Sequence, residues 1–334
     1  MSAKITDSYL GKTILISGGR GYIGSTLTQA LAKIKCKIII LDKLPKNYWL
    51  PKNPKAEIYI IKGDISLQKT WESVLPGVDY LFHLAALEYN RVNFNVLHDY
   101  QVNAFAVIYL LELCKNKKYR PKIIFSSSAN IFGLVNKLPI SEIIPSNPTS
   151  LWSVHKLVAE NYLHIYAQKF GIKSVILRLA NVYGPSVNPH AVANVIINKA
   201  IIQALNSQHL TLFTNKECIR DYIYIDDVIN AFLIAGSSDC LLRDDNFYII
   251  GSGEGNKIVD VWKLIAQKVK RLSGKKVKLG VNNNIKLEPF DRRNFIADTT
   301  LFSKMTGWKP NVFLERGIEL TIKALIDLNK NERL

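Results

Sequence analysis

The sequence predicts an α/β chain: a doubly wound parallel sheet with a smaller mixed α/β lobe. Three observations carry this. Short apolar runs recur through the first half, and helix-spaced segments separate them. The runs are apolar at nearly every position, as in strands covered on both faces. A glycine-rich turn follows the first run at once, where a strand would hand over to a helix.

KTILIS (12–17) is the first strand, and GGRGYIG opens the helix after it. KIIILD (37–42) and EIYII (57–61) are the second and third strands. An amphipathic turn or two around 67–75 leads to the fourth, DYLFHLA (79–85). A long helix is expected over 94–116, then KIIFSSS (122–128) as strand five. The helix opened by NPTSLWSVHKLVAEN (147–161) runs to Phe170, and SVILRL (174–179) is strand six. Right-handed crossovers leave few topologies for this order. Beyond Pro185 the pattern loosens. A helix is expected around 190–206, then the strand LTLF, then a strand turning into a helix in RDYIYIDDVINAFLIAG. FYIIGSGEG (247–255) is a strand and loop, 257–271 a helix, 275–290 holds one strand, and 313–328 is a closing helix.

Composition excludes several classes. Hydrophobic residues are 48% of the chain, which supports a substantial core. Cys36, Cys114, Cys218 and Cys240 have no metal-ligand spacing and fit a reduced, intracellular protein. The N-terminal stretch is too mixed for a signal peptide, and no apolar run approaches the roughly 20 residues of a membrane span. A soluble, cytoplasmic protein with no membrane partner is the expectation. The formal net charge is +17, but the lysines are scattered and not interleaved with stacking aromatics. They read as a solvated face that can steer a phosphorylated substrate, with no nucleic-acid partner expected.

Gly18, Gly21 and Gly24 follow strand one, with Tyr22 and Ile23 between them. Glycines there let the backbone turn and approach a pyrophosphate, whose charge a helix N-terminus stabilises. Asp42 ends strand two, where a carboxylate can accept from an adenosine ribose diol and repel a 2′-phosphate. This Rossmann-like arrangement points to NAD as cofactor, with Lys43 as a neighbour. Asp64 can accept from an adenine amino group, or else serve a turn. In HLAA (83–86), Leu84, Ala85 and Ala86 lie where a cofactor would meet backbone, and His83 reads as a packed structural residue.

These features together resemble the short-chain dehydrogenase/reductase superfamily, in its extended branch of NAD-dependent nucleotide-sugar epimerases and dehydratases. The resemblance spans about residues 11–325. Its motifs are GGRGYIG (18–24), LD (41–42), GDI (63–65), HLAA (83–86), VN (102–103), FSSSANIFG (125–133), RLANVYGP (178–185), RDYIYIDDV (220–228) and GWKP (307–310). It implies an NAD-binding domain over 1–185, its sheet completed by parts of 210–250. A mainly substrate-binding lobe then covers 186–334. It adds Ile65 and Asn103 to the cofactor residues, and Tyr183 with Pro185 near the nicotinamide. A nucleoside-diphosphate sugar would lie between the domains, near Glu88. Asn181, Arg220 and Arg293 would meet its diphosphate, with Arg292 as an adjacent alternative. Helices around 94–116 and 151–170 imply a homodimer. Asp226 and Asp227 read as helix caps, and Asp298 as structural. No metal is implied.

The same resemblance implies three catalytic positions: Ser128 on the reacting oxygen, Lys156 beside the nicotinamide ribose, and a tyrosine four residues before the lysine. This chain has Trp152 there. Indole has one N–H donor and nothing to titrate near neutrality, so it cannot act as general base. Three readings stay open. Another group supplies the proton step: His155, Glu88, Tyr89 or the substrate itself. The protein binds cofactor and sugar nucleotide with little redox turnover. Or Trp152 is an introduced change. The acidic pair that dehydratases carry after Ser128 is replaced by Ala129 and Asn130, which favours epimerase-like or reductase-like chemistry.

Overall fold

The computed structural model describes residues 3–43, 49–87, 95–188, 191, 195–243, 246–282, 284 and 287–331. A short helix, α1 (Ala3–Tyr9), precedes β1 (Thr13–Ser17) and α2 (Tyr22–Leu31). β2 (Lys37–Asp42) and β3 (Glu57–Lys62) follow, then α3 (Gln68–Val74) and β4 (Tyr80–His83). α4 (Val96–Tyr100) passes through a π-helical turn, Gln101–Phe105, into α5 (Ala106–Lys117). β5 (Lys122–Ser128), α6 (Leu151–Phe170) and β6 (Ser174–Leu179) complete the regular alternation. The second part begins with β7 (Asn181–Tyr183), α7 (Ile196–Ser207), β8 (His209–Leu212) and β9 (Ile219–Arg220). It continues through β10 (Tyr222–Tyr224), α8 (Ile225–Ser237), β11 (Phe247–Ile250), β12 (Asn256–Lys257) and α9 (Ile258–Ser273). β13 (Lys278–Val281), α10 (Thr300–Thr306) and α11 (Leu314–Asn331) end it.

Seven strands form one parallel sheet in the order β11-β6-β5-β4-β1-β2-β3. Side-chain alternation splits the core in two. Ile14, Ile16, Ile38, Ile40, Phe82 and Ile124 pack on one face with residues of α2 and α8. Leu15, Ile39, Leu41, Leu81, Ile123 and Phe125 pack on the other with residues of α3, α5 and α6. Each fully buried Leu or Ile in these layers contributes about 1.5–3 kcal/mol. The strand order reverses between β1 and β4, so a crevice opens at the carboxyl ends of these strands. Three two-stranded pairs, β10-β7, β12-β9 and β13-β8, form the smaller mixed part. Among the described residues no helix is long and apolar enough to cross a membrane.

Some elements differ from expectation. The helix expected over 94–116 is interrupted by the π turn. α1 was not anticipated; it is short, and Tyr9 holds it by donating to the Leu233 carbonyl at 2.7 Å. α8 is capped by neither expected carboxylate, its N-cap being Tyr224. Asp227 instead accepts from the N–H groups of Asn311 and Val312, both at 3.0 Å, and so ties down the segment after Trp308.

Candidate active site

β1 ends at Ser17 and the chain turns at Gly18, whose φ of +71° favours glycine. A Cβ on Gly18 would fall 2.7 Å from the Ala85 nitrogen, and one on Gly24 would fall 2.1 Å from the Gly18 carbonyl. The loop is therefore pressed against the end of β4 on one side and against its own helix on the other. Gly21 caps α2 without a side chain and leaves the first-turn N–H groups to an anion. Tyr22 donates to the Gly184 carbonyl at 2.9 Å and ties the loop to the chain after β7.

A cavity of about 490 Å³ opens over this loop. It brings together Gly18, Gly21, Tyr22, Ile23, Gly24, Asp42, Lys43, Ile65, Leu84, Ala85, Ala86, Ser128, Trp152 and Lys156. Asp42 accepts the Arg20 backbone N–H at 3.0 Å. Three expected cofactor residues are not on its wall. Asp64 does not line the cavity, although its neighbours Gly63 and Ile65 do. Its carboxylate accepts from the Ser66 N–H at 2.9 Å and hydroxyl at 2.7 Å, and pairs with Lys43 at 2.8 Å. It serves the turn. Asn103 does not line the cavity, where its neighbour Val102 does, and it holds Leu87 at both its N–H (3.1 Å) and its carbonyl (3.2 Å). Tyr183 is fully buried in the core beside Tyr224, because Val182 takes the cavity side of β7. Glu88 and Tyr89 lie outside the described residues.

The Ser150 side chain caps α6 by accepting from the Ser153 N–H. This sets Trp152 in the first turn and Lys156 one turn on, both facing the cavity. The indole Nε1 donates to the Leu87 carbonyl at 2.7 Å. Lys156 is buried, with Nζ 4.4 Å from the Phe125 ring centroid. Burial pushes its ammonium down to about 8, against the opposing pull of Glu160 and Asp99. Ser128 Oγ accepts the Asn130 N–H at 3.1 Å and keeps its own proton to donate. The two histidines nearby are committed elsewhere. His155 is buried, bonded through Nδ1 to Asp99, and is not on the cavity wall. His83 bonds Ser17 Oγ at 2.6 Å between the rings of Trp71 and Phe125. Burial and then the Lys156 charge push it down to about 3, so it stays neutral.

A second cavity of about 350 Å³ shares Val182 and Val195 with the first. Asn181, Arg220 and Arg293 line it, together with Asn130, Asn215 and Tyr222, while Arg292 does not. Arg220 donates to the carbonyls of Asp291 (2.6 Å), Ile219 (3.1 Å) and Arg293. Burial, then the charge of Arg220, push the Arg293 guanidinium down to about 9. Two buried cations side by side have the charge to pair with a multiply charged anion.

The sequence model of the NAD dependent epimerase/dehydratase family matches residues 14–251. The chain belongs to this family. A Bacillus subtilis (strain 168) protein, described as an uncharacterised UDP-glucose epimerase, YtcB, is 31% identical over 96% of this chain and 99% of its own. The UDP-glucose 4-epimerase of Thermotoga maritima, solved with UDP-glucose, is 29% identical, with a TM-score of 0.82 over 95% of this chain and 99% of that one. An epimerase of Methanothermobacter thermautotrophicus shares the fold, at 24% identity and a TM-score of 0.87, over 99% of this chain and 98% of that one.

The cofactor of this epimerase/dehydratase family member is NAD, and the residues fit it. The side-chain-free cap at Gly21 suits a pyrophosphate. Asp42 stands on the wall where a ribose diol would present its hydroxyls, and Ile23, Leu41 and Leu84 supply apolar surface. Two residues of the site region escaped the sequence reading. Ser127 lines the first cavity with a buried Oγ that has no partner among the described residues. The triple serine of FSSS was its only signal. Asp221, fully buried, accepts from Ser252 N–H (2.7 Å) and hydroxyl (2.8 Å), Gly253 (2.9 Å) and Ala297 (3.1 Å). It anchors the strand that presents Arg220.

Proposed function

We propose that the chain is an NAD-dependent nucleotide-sugar epimerase or oxidoreductase, acting on a nucleoside-diphosphate sugar by hydride transfer at a ring hydroxyl or keto carbon. One observation carries this reading: the glycine-loop cavity adjoins a cavity holding two buried arginines, the two sharing Val182 and Val195 as wall. In this reading the cofactor and a diphosphate ester lie end to end, and the sugar falls between them near Ser128, Trp152 and Lys156. When bound, NAD supplies the hydride acceptor. Gly18, Gly21 and Gly24 admit its pyrophosphate, and Asp42 accepts from its ribose. Ser128 donates to the reacting oxygen. Arg220, Arg293 and Asn181 hold the diphosphate. Uridine nucleotides are the first to test, since relatives of this chain are UDP-glucose epimerases. Ala129 and Asn130 follow Ser128 and offer no acid for a leaving hydroxyl, which favours epimerisation or reduction over dehydration.

The exposed apolar residues Val154, Tyr162 and Ile165 recur at helical spacing on α6 and support a homodimer through this helix. A second reading, binding without turnover, is favoured by one observation: the only polar hydrogen of the Trp152 side chain is bonded to Leu87. Incubation with NAD and a panel of UDP-, GDP-, CDP- and dTDP-sugars, followed by separation of products, decides between them. An epimer or a reduced sugar supports the enzyme. Recovery of every sugar unchanged, despite measured binding, supports the binding protein.

A further inference from the structure

We propose that Lys156 itself exchanges the proton of the reacting hydroxyl, taking it when the carbon is oxidised and returning it when the carbon is reduced. This rests on the hydride-transfer reading above and goes past the supporting part that the resemblance gives the lysine.

The argument is one of position. Lys156 reaches the cavity wall that Ser126, Ser127, Ser128 and Trp152 also form. Among the described residues, every other titratable group facing it is committed. On its own helix, Glu160 takes a three-bond fork from Arg178, with Nη2 to Oε2 at 2.6 Å and Nε to the two oxygens at 3.1 and 3.2 Å. Also on that helix, His155 is bonded to Asp99. On α4, Asp99 also accepts from Asn103 at 2.9 Å. At the end of β4, His83 is bonded to Ser17 and held neutral by burial. Lys156 itself rests on the Phe125 ring and has no ion pair with a carboxylate among the described residues. A buried ammonium with no ion pair gives up its proton readily even against the more distant charges of Glu160 and Asp99, consistent with its displacement to about 8. Near that pH both forms are populated, as an exchanging group requires. Ser127 Oγ, buried on the same wall without a partner among the described residues, offers a hydroxyl through which the proton can pass.

The step balances. As the carbon–hydrogen bond breaks and its electron pair leaves with the hydride to the nicotinamide, the hydroxyl O–H breaks and an N–H forms on neutral Nζ. The carbon is oxidised to a ketone, the nicotinamide is reduced, and Lys156 becomes an ammonium. In the reverse step the ammonium gives the proton back to the oxygen as the carbon regains its hydride.

The test uses the full-length protein labelled with ¹³C at lysine Cε, the Lys156 signal being the one lost in Lys156→Met. The expected result is a Lys156 titration near 8. The oxidative half-reaction should then rise with pH through the same value. Lys156→Arg keeps the charge but cannot lose it. Its kcat should fall by about a hundredfold or more while NAD affinity changes by less than about fivefold. A Lys156 titration above about 10 overturns the inference. So does a Lys156→Arg enzyme with kcat within about tenfold and the native pH profile, because a positioning role would survive in arginine. Both of those outcomes leave the hydride-transfer reading intact. Absence of turnover in the native protein with every sugar nucleotide sinks that reading, and the role of Lys156 with it. If Lys156→Arg fails to fold, the native titration and pH profile decide alone.

Discussion

The indole Nε1 of Trp152 donates to the backbone carbonyl of Leu87 at 2.7 Å, and indole has no second polar hydrogen. Leu87 in turn is held at its N–H and carbonyl by Asn103. Trp152 therefore acts as a wall of the cavity and a brace for the chain after β4. Trp152→Phe should keep turnover within about tenfold and lower stability by about 1 kcal/mol, one neutral hydrogen bond. Leu87 would still be satisfied by Asn103. Steady-state rates and a urea midpoint check this, and a hundredfold rate loss would assign chemistry to the indole.

Lys156 should reveal itself in stability as well as in rate. Its folded value, about 8, lies below the ordinary 10.5 of the unfolded chain, so between these values the unfolded chain holds more protons. The contribution of this group to stability therefore rises with pH across that window and is at its least favourable below it. The burden of the buried ammonium is on the order of 3 kcal/mol below the window. Lys156→Met should be more stable than the native protein at pH 7, by about 1–3 kcal/mol, and should lose that advantage toward pH 10. Urea titrations at several pH values measure it. A variant destabilised at pH 7 would contradict it.

Gly24→Ala forces a Cβ to 2.1 Å from the Gly18 carbonyl, a backbone atom with nowhere to retreat. The loop and the first turn of α2 must separate, with Ala85 blocking Gly18 on its other side. NAD affinity should fall by about a hundredfold, the scale of a misplacement near 1 Å. Calorimetry with NAD reads it directly, and native affinity would show that the loop does not cradle the cofactor.

Arg293→Met should weaken sugar-nucleotide binding by about 10- to 100-fold, as expected for loss of charge-assisted bonds of about 1.5–3 kcal/mol. NAD affinity should be unchanged. Parallel titrations with UDP-glucose and NAD separate the two, and equal losses for both ligands would place the arginine outside a diphosphate site.

Asp221→Asn replaces an acceptor oxygen that faces N–H donors with another donor. It should lower stability by about 2–4 kcal/mol and loosen the strand that presents Arg220. Denaturant unfolding checks the first effect, and a native midpoint would remove Asp221 as an anchor.

Much of the fold was legible because burial on both sheet faces leaves a plain mark. Ile14, Leu15 and Ile16 are all fully buried, so no polar residue interrupts the run. Trp152 and Lys156 were legible because the Ser150 cap fixes the helix start and four-residue spacing fixes a shared face. Asp64 and Tyr183 were misplaced for one reason. Near a strand end or in a three-residue strand, which side chain faces the cavity is set by pairing partners far away, not by composition. Asn103 lies within the π turn, a local change of period that helical spacing does not announce. Asp221 draws donors from residues 252, 253 and 297, so nothing local marks it as a buried anchor.

The most direct test of hydride transfer in this site is a stopped-flow record of nicotinamide absorbance at the reduced-cofactor band. Stoichiometric protein and NAD would be mixed with the sugar nucleotide that binds best. The expected result is a transient rise, slower by the primary isotope effect when the reacting ring carbon carries deuterium, with an altered sugar recovered afterwards. Saturation of both ligands with a flat trace and unaltered sugar would contradict it.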